Sequence, residues 1–277
     1  MGGSFVIGSE TRLVAIIGSP IVQVKYPDNF NRYFADEGVD RAMMVIDLGP
    51  ERVADFVTTV RGWQNMDGFV VTIPHKAAVA ALVDGLSAKA QFLGVSNVVR
   101  RHPNGKLCGD MTDGEGFLTA SRQQGFVPNG KVVLEVGAGA AGSAIGYTLA
   151  GAGVSHLVIS DRNKDRAASL SARLSNAFPA VSISAGAVPQ RAFDLVVNAS
   201  LSCMQDDDPL PVPHSTLALV PSEGLVADVV TSPKMTPLLT LAKARGLKFQ
   251  TGEEMAKSQL FALGKVMGIF RGVPVDV

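Results

Sequence analysis

Val132-Val133-Leu134-Glu135-Val136 runs straight into Gly137-Ala138-Gly139-Ala140-Ala141-Gly142, and the pattern then turns helical through Leu149. A short β-branched run, a G-x-G-x-x-G turn and a helix, in that order, open a βαβ unit of the kind that holds a dinucleotide. The first glycine permits the tight turn, the second lets the backbone approach a pyrophosphate, and the third allows close helix packing. The phosphates are expected on the unpaired N–H groups where the helix begins, with Gly137, Ala138, Gly139, Ala140, Ala141 and Gly142 forming the cradle. The next strand, Leu157-Val158-Ile159-Ser160, leads to Asp161, 19 residues after Gly142 (161 − 142), where a ribose-binding acid is expected. A carboxylate there accepts hydrogen bonds from ribose hydroxyls and repels a 2′-phosphate, which favours NAD. Arg162 and Arg166 offer guanidinium groups to such a phosphate, so NADP stays open as a second cofactor.

The rest of the chain repeats the alternation of short apolar strands and helical patterns that marks parallel sheets with helices on their faces. Ahead of the glycine turn, Val14 to Gly18, Met43 to Leu48 and Phe69 to Thr72 read as strands. Helices are predicted after Pro27, where Phe30, Tyr33 and Phe34 recur at helical spacing, and from Glu51 to Trp63. Val95–Arg100 and Lys106–Cys108 flank His102-Pro103-Asn104-Gly105, an Asn-Gly hairpin turn. Beyond it, Leu195-Val196-Val197-Asn198 and Leu225-Val226-Ala227-Asp228 continue a second sheet, and a last helix is expected from about Glu253 to Phe270. There are no internal repeats and no low-complexity tract.

Composition narrows the function classes. The 277 residues suffice for two domains, and 47% hydrophobic against 18% charged residues is the balance of a globular protein. Lys+Arg and Asp+Glu both number 25, which removes the main electrostatic argument for nucleic acid or an anionic membrane as partner. No apolar run reaches the ~18 residues of a membrane span. Met1-Gly2-Gly3-Ser4 lacks the layout of a signal peptide, and two cysteines and four scattered histidines give neither a disulfide framework nor a metal-ligand spacing. A cytoplasmic enzyme without a metal, acting on a small molecule, is the expectation; nothing in the sequence fixes its oligomeric state.

Among dehydrogenases, a zinc alcohol dehydrogenase needs more thiolates than two cysteines supply. A short-chain reductase carries a Lys four residues after its Tyr; four beyond Tyr26, Tyr33 and Tyr147 stand Phe30, Glu37 and Gly151. A glycine motif in mid-chain points to a catalytic domain in front and a Rossmann domain behind. Several further segments then become informative together. Val71-Thr72-Ile73-Pro74-His75-Lys76 resembles the Val-Thr-Ile/Val-Pro-His/Phe-Lys signature of the shikimate dehydrogenase family. Gly109-Asp110-Met111-Thr112-Asp113-Gly114-Glu115-Gly116 is similar to its Asn-Thr-Asp-Gly-x-Gly segment, and Gly18-Ser19-Pro20-Ile21 with Pro27 to its first substrate loop. Thr236-Pro237-Leu238-Leu239, and Gly252 with Gln259, resemble its late motifs.

The resemblance implies an α/β protein with an N-terminal mixed α/β substrate domain, a Rossmann domain, and a last helix that returns to the first domain. The expected boundaries are 1–114 with 252–277, and 115–251. It makes Lys76 and Asp113 the catalytic pair, with Thr72, Asn97 and Gln259 completing a polar ring around the substrate. Asn198, in the outline of an Asn-Ala-Thr-Ser-x-Gly-Met motif, and Thr231, where the family has a Tyr near the nicotinamide, join the cofactor contacts. The pair suits the chemistry: when a carbinol carbon gives up hydride, its hydroxyl proton must move too, and a lysine in a partly dry site relays it while a carboxylate orients the ammonium.

The departures cluster at the substrate. Members that use shikimate carry a Ser-x-Ser pair in the first loop to hold its carboxylate; Val24 and Tyr26 stand there in this chain. Val70 and Met111 replace asparagines, which is expected to make the substrate site more apolar, and Cys203 replaces a glycine. Losing one hydrogen bond to a charged carboxylate costs ~1.5–3 kcal/mol. The expected activity is therefore NAD(P)-dependent hydride transfer on a shikimate- or quinate-like cyclic hydroxy acid, weak on shikimate itself. A less polar alcohol as substrate, or a non-catalytic ligand sensor on the same fold, are the alternatives; retention of both Lys76 and Asp113 argues against the sensor.

Overall fold

The computed structural model describes residues 7–22, 24–204 and 208–270, so Met1–Ser4 lies outside the described residues. Two compact units divide the chain: the first runs to Thr112 and resumes at Gln259, and the second is Asp113–Ser258.

The first unit contains β1 (Arg12–Gly18), α1 (Tyr26–Asp36), β2 (Arg41–Asp47), α2 (Val53–Gly62), β3 (Met66–Val71), α3 (Lys76–Leu82), β4 (Gly85–Leu86), α4 (Ala88–Leu93), β5 (Val98–Arg101) and β6 (Leu107–Asp110). Its sheet has the order β2-β1-β3-β5-β6-β4. Strands β2, β1 and β3 run parallel, β5 is antiparallel to both β3 and β6, and β4 lies parallel to β6. This is the mixed α/β domain expected from the motif order. Val14 to Ile17 are fully buried, because a central parallel strand covered on both faces must be apolar throughout. Helix α1 begins beside Pro27, whose missing N–H costs nothing in a first turn. Its Phe30 and Phe34 pack with Val14, Ile16 and Val70 on one face of the sheet. Val53, Val57 and Val60 of α2 fill the other face, against Ala15, Ile17 and Phe69. The Asn-Gly hairpin forms as predicted, closed by His102 N–H to the Lys106 carbonyl at 2.8 Å.

The second unit contains α5 (Asp113–Gln123), β7 (Val132–Val136), α6 (Ala140–Gly151), β8 (His156–Ser160), α7 (Lys164–Ala177), β9 (Ser182–Ala185), β10 (Leu195–Asn198), α8 (His214–Ala218), β11 (Leu225–Asp228), α9 (Pro237–Ala244) and β12 (Lys248–Gln250). Its six strands are all parallel in the order β12-β11-β10-β7-β8-β9. Counted from β7, that is 3-2-1-4-5-6 read from the far edge, the doubly wound Rossmann arrangement. The order reverses between β7 and β10, so their carboxyl ends border the crevice where such sheets take ligands.

The last helix, α10 (Gly252–Met267), begins in the second unit and ends in the first. The division falls at 258/259 because the first turns of α10 pack within the second unit. Gln124 Nε2 donates to Glu254 Oε1 at 3.0 Å and Ser258 Oγ to Gln123 Oε1 at 3.3 Å. From Leu263 onward the chain instead completes the first unit's core with Val266, Met267, Ile269 and Phe270.

Candidate active site

In the first unit, the substrate candidates gather at the carboxyl ends of β1 and β3. The Thr72 N–H donates to the Ile17 carbonyl at 2.9 Å and Ser19 N–H to that of Ile73 at 3.1 Å, which joins the first loop to the segment before Lys76. His75 is buried, with Nε2 2.7 Å from the Leu48 carbonyl, so this nitrogen carries the proton and pins the loop to the end of β2. Lys76 follows as the first residue of α3 with its side chain half-buried, and its carbonyl accepts from Ser96 N–H at 3.0 Å.

A buried polar chain lies beside this loop. The Tyr26 hydroxyl donates to Gln259 Oε1 in a short contact, and Gln259 Nε2 donates to Thr112 Oγ1 at 3.1 Å. Thr112 Oγ1 accepts from Asn97 Nδ2 at 3.2 Å, and Asn97 Oδ1 accepts from Thr112 N–H at 2.8 Å. Asn97 is itself tied by its backbone to Val71 N–H and the Asp110 carbonyl. Gln259, Asn97 and Thr112 are 0%, 2% and 3% exposed, a depth at which polar side chains persist only when paired. The structure thus brings together Tyr26, Asn97 and Gln259 from three distant parts of the sequence. Thr112, at the centre, was not singled out by sequence reasoning, although it sits beside Asp113 in a quoted motif.

Val24 lies against the apolar cluster around Phe30 and carries no polar group toward any ligand. Val70 and Met111 are likewise buried, at 2% and 0% exposure, and Val70 packs with Val14, Ile16 and Phe30 in the cluster that Val24 and Tyr26 also join.

In the second unit, Asp113 opens α5 and is buried, an acid in a first turn where the helix dipole favours it. Its position is fixed by the next residue. A Cβ on Gly114 would lie 2.3 Å from the Ala144 carbonyl oxygen, so α5 rests backbone to backbone on α6.

The glycine turn separates protein constraints from ligand space. Gly137 has φ +108°, and a Cβ there would stand 2.7 Å from the Ala199 carbonyl group; on Gly142 it would meet the Gly137 carbonyl oxygen at 1.9 Å. Both must be glycine for the fold alone. Gly139 differs: its φ of −77° suits any residue, and a Cβ would meet nothing within 4 Å. The space before its backbone is therefore open, at the start of a twelve-residue helix, the kind of end at which a phosphate could be held. Asp161 faces the same turn, its Oδ2 accepting from Ala138 N–H at 2.7 Å and its Oδ1 from Asn163 N–H at 2.8 Å. Arg162 and Arg166 are exposed just beyond it.

Asn198 ends β10 with its side chain committed to its own surroundings. Nδ2 donates to Ser202 O and Asp228 Oδ1, and Oδ1 accepts from Ser200. Its side chain holds the loop that borders the turn. Asp228 ends β11, fully buried; desolvation pushes its carboxyl up to about 6 against hydrogen bonds from Val230 N–H, Thr236 Oγ1 and Asn198. Thr231 follows, half-exposed. Cys203, at the family's glycine, is buried with φ +71°. No group of His, Cys, Asp and Glu among the described residues is arranged to hold a metal, and no described helix is long and apolar enough to cross a membrane.

Comparison with known proteins bears on the family and the fold. The family model described as the shikimate dehydrogenase substrate binding domain matches residues 16–99. The shikimate dehydrogenase (NADP(+)) of Rubrobacter xylanophilus is 37% identical over 252 residues, 90% of this chain and 88% of its own. Among solved structures, the shikimate 5-dehydrogenase of Thermus thermophilus, in complex with NADP(H) and shikimate, matches with TM-score 0.82 and 28% identity over 96% of this chain and 95% of that one. The ligand-free 5-ketofructose reductase of a Gluconobacter species matches with TM-score 0.84 and 27% identity over 97% and 96%.

Proposed function

This chain belongs to the shikimate dehydrogenase family, and from that premise we propose that it transfers hydride reversibly between a cyclic hydroxy acid of the shikimate/3-dehydroshikimate kind and a nicotinamide cofactor, working weakly on shikimate itself. It is an oxidoreductase. The observation that carries the reading is the buried chain Tyr26–Gln259–Thr112–Asn97, in which Tyr26 stands at a carboxylate-binding serine's place and spends its hydroxyl proton on Gln259.

In this reading Gly137–Gly142 and Asp161 hold the cofactor, which supplies the hydride acceptor. Arg162, Arg166, Asn198 and Thr231 border it. Lys76 takes the hydroxyl proton of the substrate and returns it in the reverse direction, with Asp113 orienting the ammonium. Thr72, Asn97 and Gln259 orient the substrate hydroxyls, and Val24 and Tyr26 fill the space of the family's two serines. NAD is the preferred cofactor on the strength of Asp161, although the bacterial relatives are named for NADP(+). Both cysteines are free, in keeping with a reducing, cytoplasmic setting.

A second reading, a less polar or uncharged substrate, is favoured by the packing of Val24 and Tyr26 against the Phe30 cluster. One structural relative is named a 5-ketofructose reductase. Steady-state kinetics on shikimate, quinate and 5-ketofructose separate the two. Shikimate is expected to stay below the ~10⁴ M⁻¹s⁻¹ of an ordinary efficient enzyme, and Val24→Ser with Tyr26→Ser is expected to lower its KM. Efficient turnover of shikimate by the unmodified protein overturns the proposed weakness.

A further inference from the structure

Beneath the glycine turn, the central strand carries a charged residue type at a position where neighbouring strands carry aliphatic ones. Glu135 is 0% exposed, and neither of its carboxylate oxygens has a hydrogen-bond partner. The carboxylate fills the space that two glycines of α6 leave. A Cβ on Gly142 would lie 2.9 Å from Oε1, and one on Gly146 would lie 2.9 Å from Oε2. Leu157 of β8 and Leu174 of α7 close the same space beside Gly146. Gly142 is also the residue that packs on the Gly137 carbonyl, so the carboxyl sits directly behind the turn.

No cation among the described residues compensates it. The titratable side chains on the elements around it are Tyr147 on α6, Lys164, Asp165, Arg166 and Arg173 on α7, and His156 on β8 with Asp161 beyond its end; β10 carries none. Burial alone pushes the carboxyl well above its ordinary range, with no opposing contribution from any of these groups. An unpaired carboxylate in such a place is expensive, and a protonated carboxyl is the form the site tolerates.

We propose that Glu135 is a proton-linked modulator of dinucleotide affinity: the turn binds the pyrophosphate with Glu135 protonated, and ionisation of this carboxyl behind Gly137–Gly142 weakens binding. The proposal rests on the cofactor reading of the turn. Two effects act in the same direction. A carboxylate behind the turn opposes the positive end of α6 that attracts the phosphates. It also draws water between β7 and α6, where Gly142 and Gly146 allow no slack. Linkage makes the effect reciprocal, so cofactor binding takes up a proton wherever free Glu135 is partly ionised.

The test uses the full chain and NADH, whose pyrophosphate keeps a fixed charge over the range sampled. Affinity is measured by fluorescence and calorimetry from about pH 5 to about pH 9, a span covering documented buried glutamates. Proton uptake is read from the dependence of binding heat on buffer ionisation. The unmodified protein is expected to bind NADH about tenfold more weakly at the alkaline end, with net proton uptake, a size typical of couplings between sites. Glu135→Gln, neutral and nearly isosteric, is expected to flatten the profile and abolish the uptake. Tight, pH-independent binding by both proteins overturns the proposal while leaving the cofactor site intact. Absence of NADH and NADPH binding at every pH overturns the cofactor reading itself. If Glu135→Gln does not fold, isotope-edited infrared spectra of glutamate-labelled wild type read the carboxyl directly; a carboxylate at every pH sinks the idea, and a protonated band bleached by alkali and restored by NADH supports it.

Discussion

Substituting alanine at two glycines of the turn separates what the fold requires from what a ligand requires. On Gly142 the new methyl would stand 1.9 Å from the Gly137 carbonyl oxygen and 2.9 Å from Glu135 Oε1. The first neighbour is backbone in a turn held by Gly137 N–H on the Ser160 carbonyl at 2.7 Å, so neither side yields cheaply. Overpacking of this kind costs ~1–3 kcal/mol or more, and Gly142→Ala is expected to lower Tm by several degrees, at about 2–4 °C per kcal/mol for a chain in this size range. On Gly139 the methyl meets nothing within 4 Å, and a φ of −77° is open to alanine. The fold then registers only a change of helix N-cap, at most about 1 kcal/mol. Yet that methyl projects into the space assigned to the pyrophosphate, and NADH affinity is expected to fall at least tenfold, which is ~1.4 kcal/mol. Thermal melting without ligand and NADH titration by fluorescence measure the two effects independently. A Gly139→Ala protein that binds NADH like wild type refutes the placement of the pyrophosphate, whatever Gly142→Ala does.

Four further outcomes are expected. Asp228 has its folded value raised to about 6, so the stability it confers is complete below the ordinary aspartate value of ~3.9 and is lost as pH climbs through 6; urea unfolding should show wild type losing about 3 kcal/mol relative to Asp228→Asn between those limits, and equal pH slopes would contradict this. Cys203→Gly should be at least as stable as Cys203→Ala, the reverse of the usual order, because φ +71° costs a side-chain-bearing residue ~1–2 kcal/mol; a clear advantage for alanine in denaturant titrations would show that the strain is negligible. Lys76→Ala should reduce kcat by roughly 10²–10⁴-fold with NADH affinity little changed, and near-normal turnover would remove Lys76 from the mechanism. Asp161→Asn should shift kcat/KM toward NADPH, whereas a wild type that already prefers NADPH would mean Arg162 and Arg166 outweigh the carboxylate.

The parts of this fold legible in the sequence are those whose information is local. The run from Val132 to Gly142 declares strand, turn and helix within eleven consecutive residues, and Asn104-Gly105 declares its hairpin in two. Short elements were illegible: β4 has two residues, α4 six, and β9 reads Ser-Ile-Ser-Ala without an apolar face. α3, which begins at Lys76, is seven residues of which Val79 and Ala80 are buried, too brief for a periodicity to emerge. The site divides in the same way. The glycine turn is contiguous, whereas the Tyr26–Gln259 bond joins positions 233 apart, and only the family resemblance put both on one side of the chemistry. Val70 and Met111 show the limit of that route, since a motif position does not say how deeply a side chain is buried. Glu135 was hidden for the opposite reason: one acidic residue in a good strand looks like noise until its neighbours turn out to be Gly142 and Gly146.

The split course of the first unit has a consequence for how the protein is made. Its core needs Leu263, Val266, Met267, Ile269 and Phe270 beside Phe30 and Phe34, with Phe270 stacked on Phe30 at 6.5 Å between ring centres. Those residues leave the ribosome only after the whole of Asp113–Ser258. The second unit is contiguous and holds all of its own strands, so it can finish folding while the first unit still waits for the later turns of α10. During elongation Phe30, Phe34 and Val14 therefore lack their partners, and Tyr26, Thr112 and Asn97 lack Gln259. The amino-terminal half is born early and completed late, the reverse of the order in which domains on a nascent chain ordinarily mature.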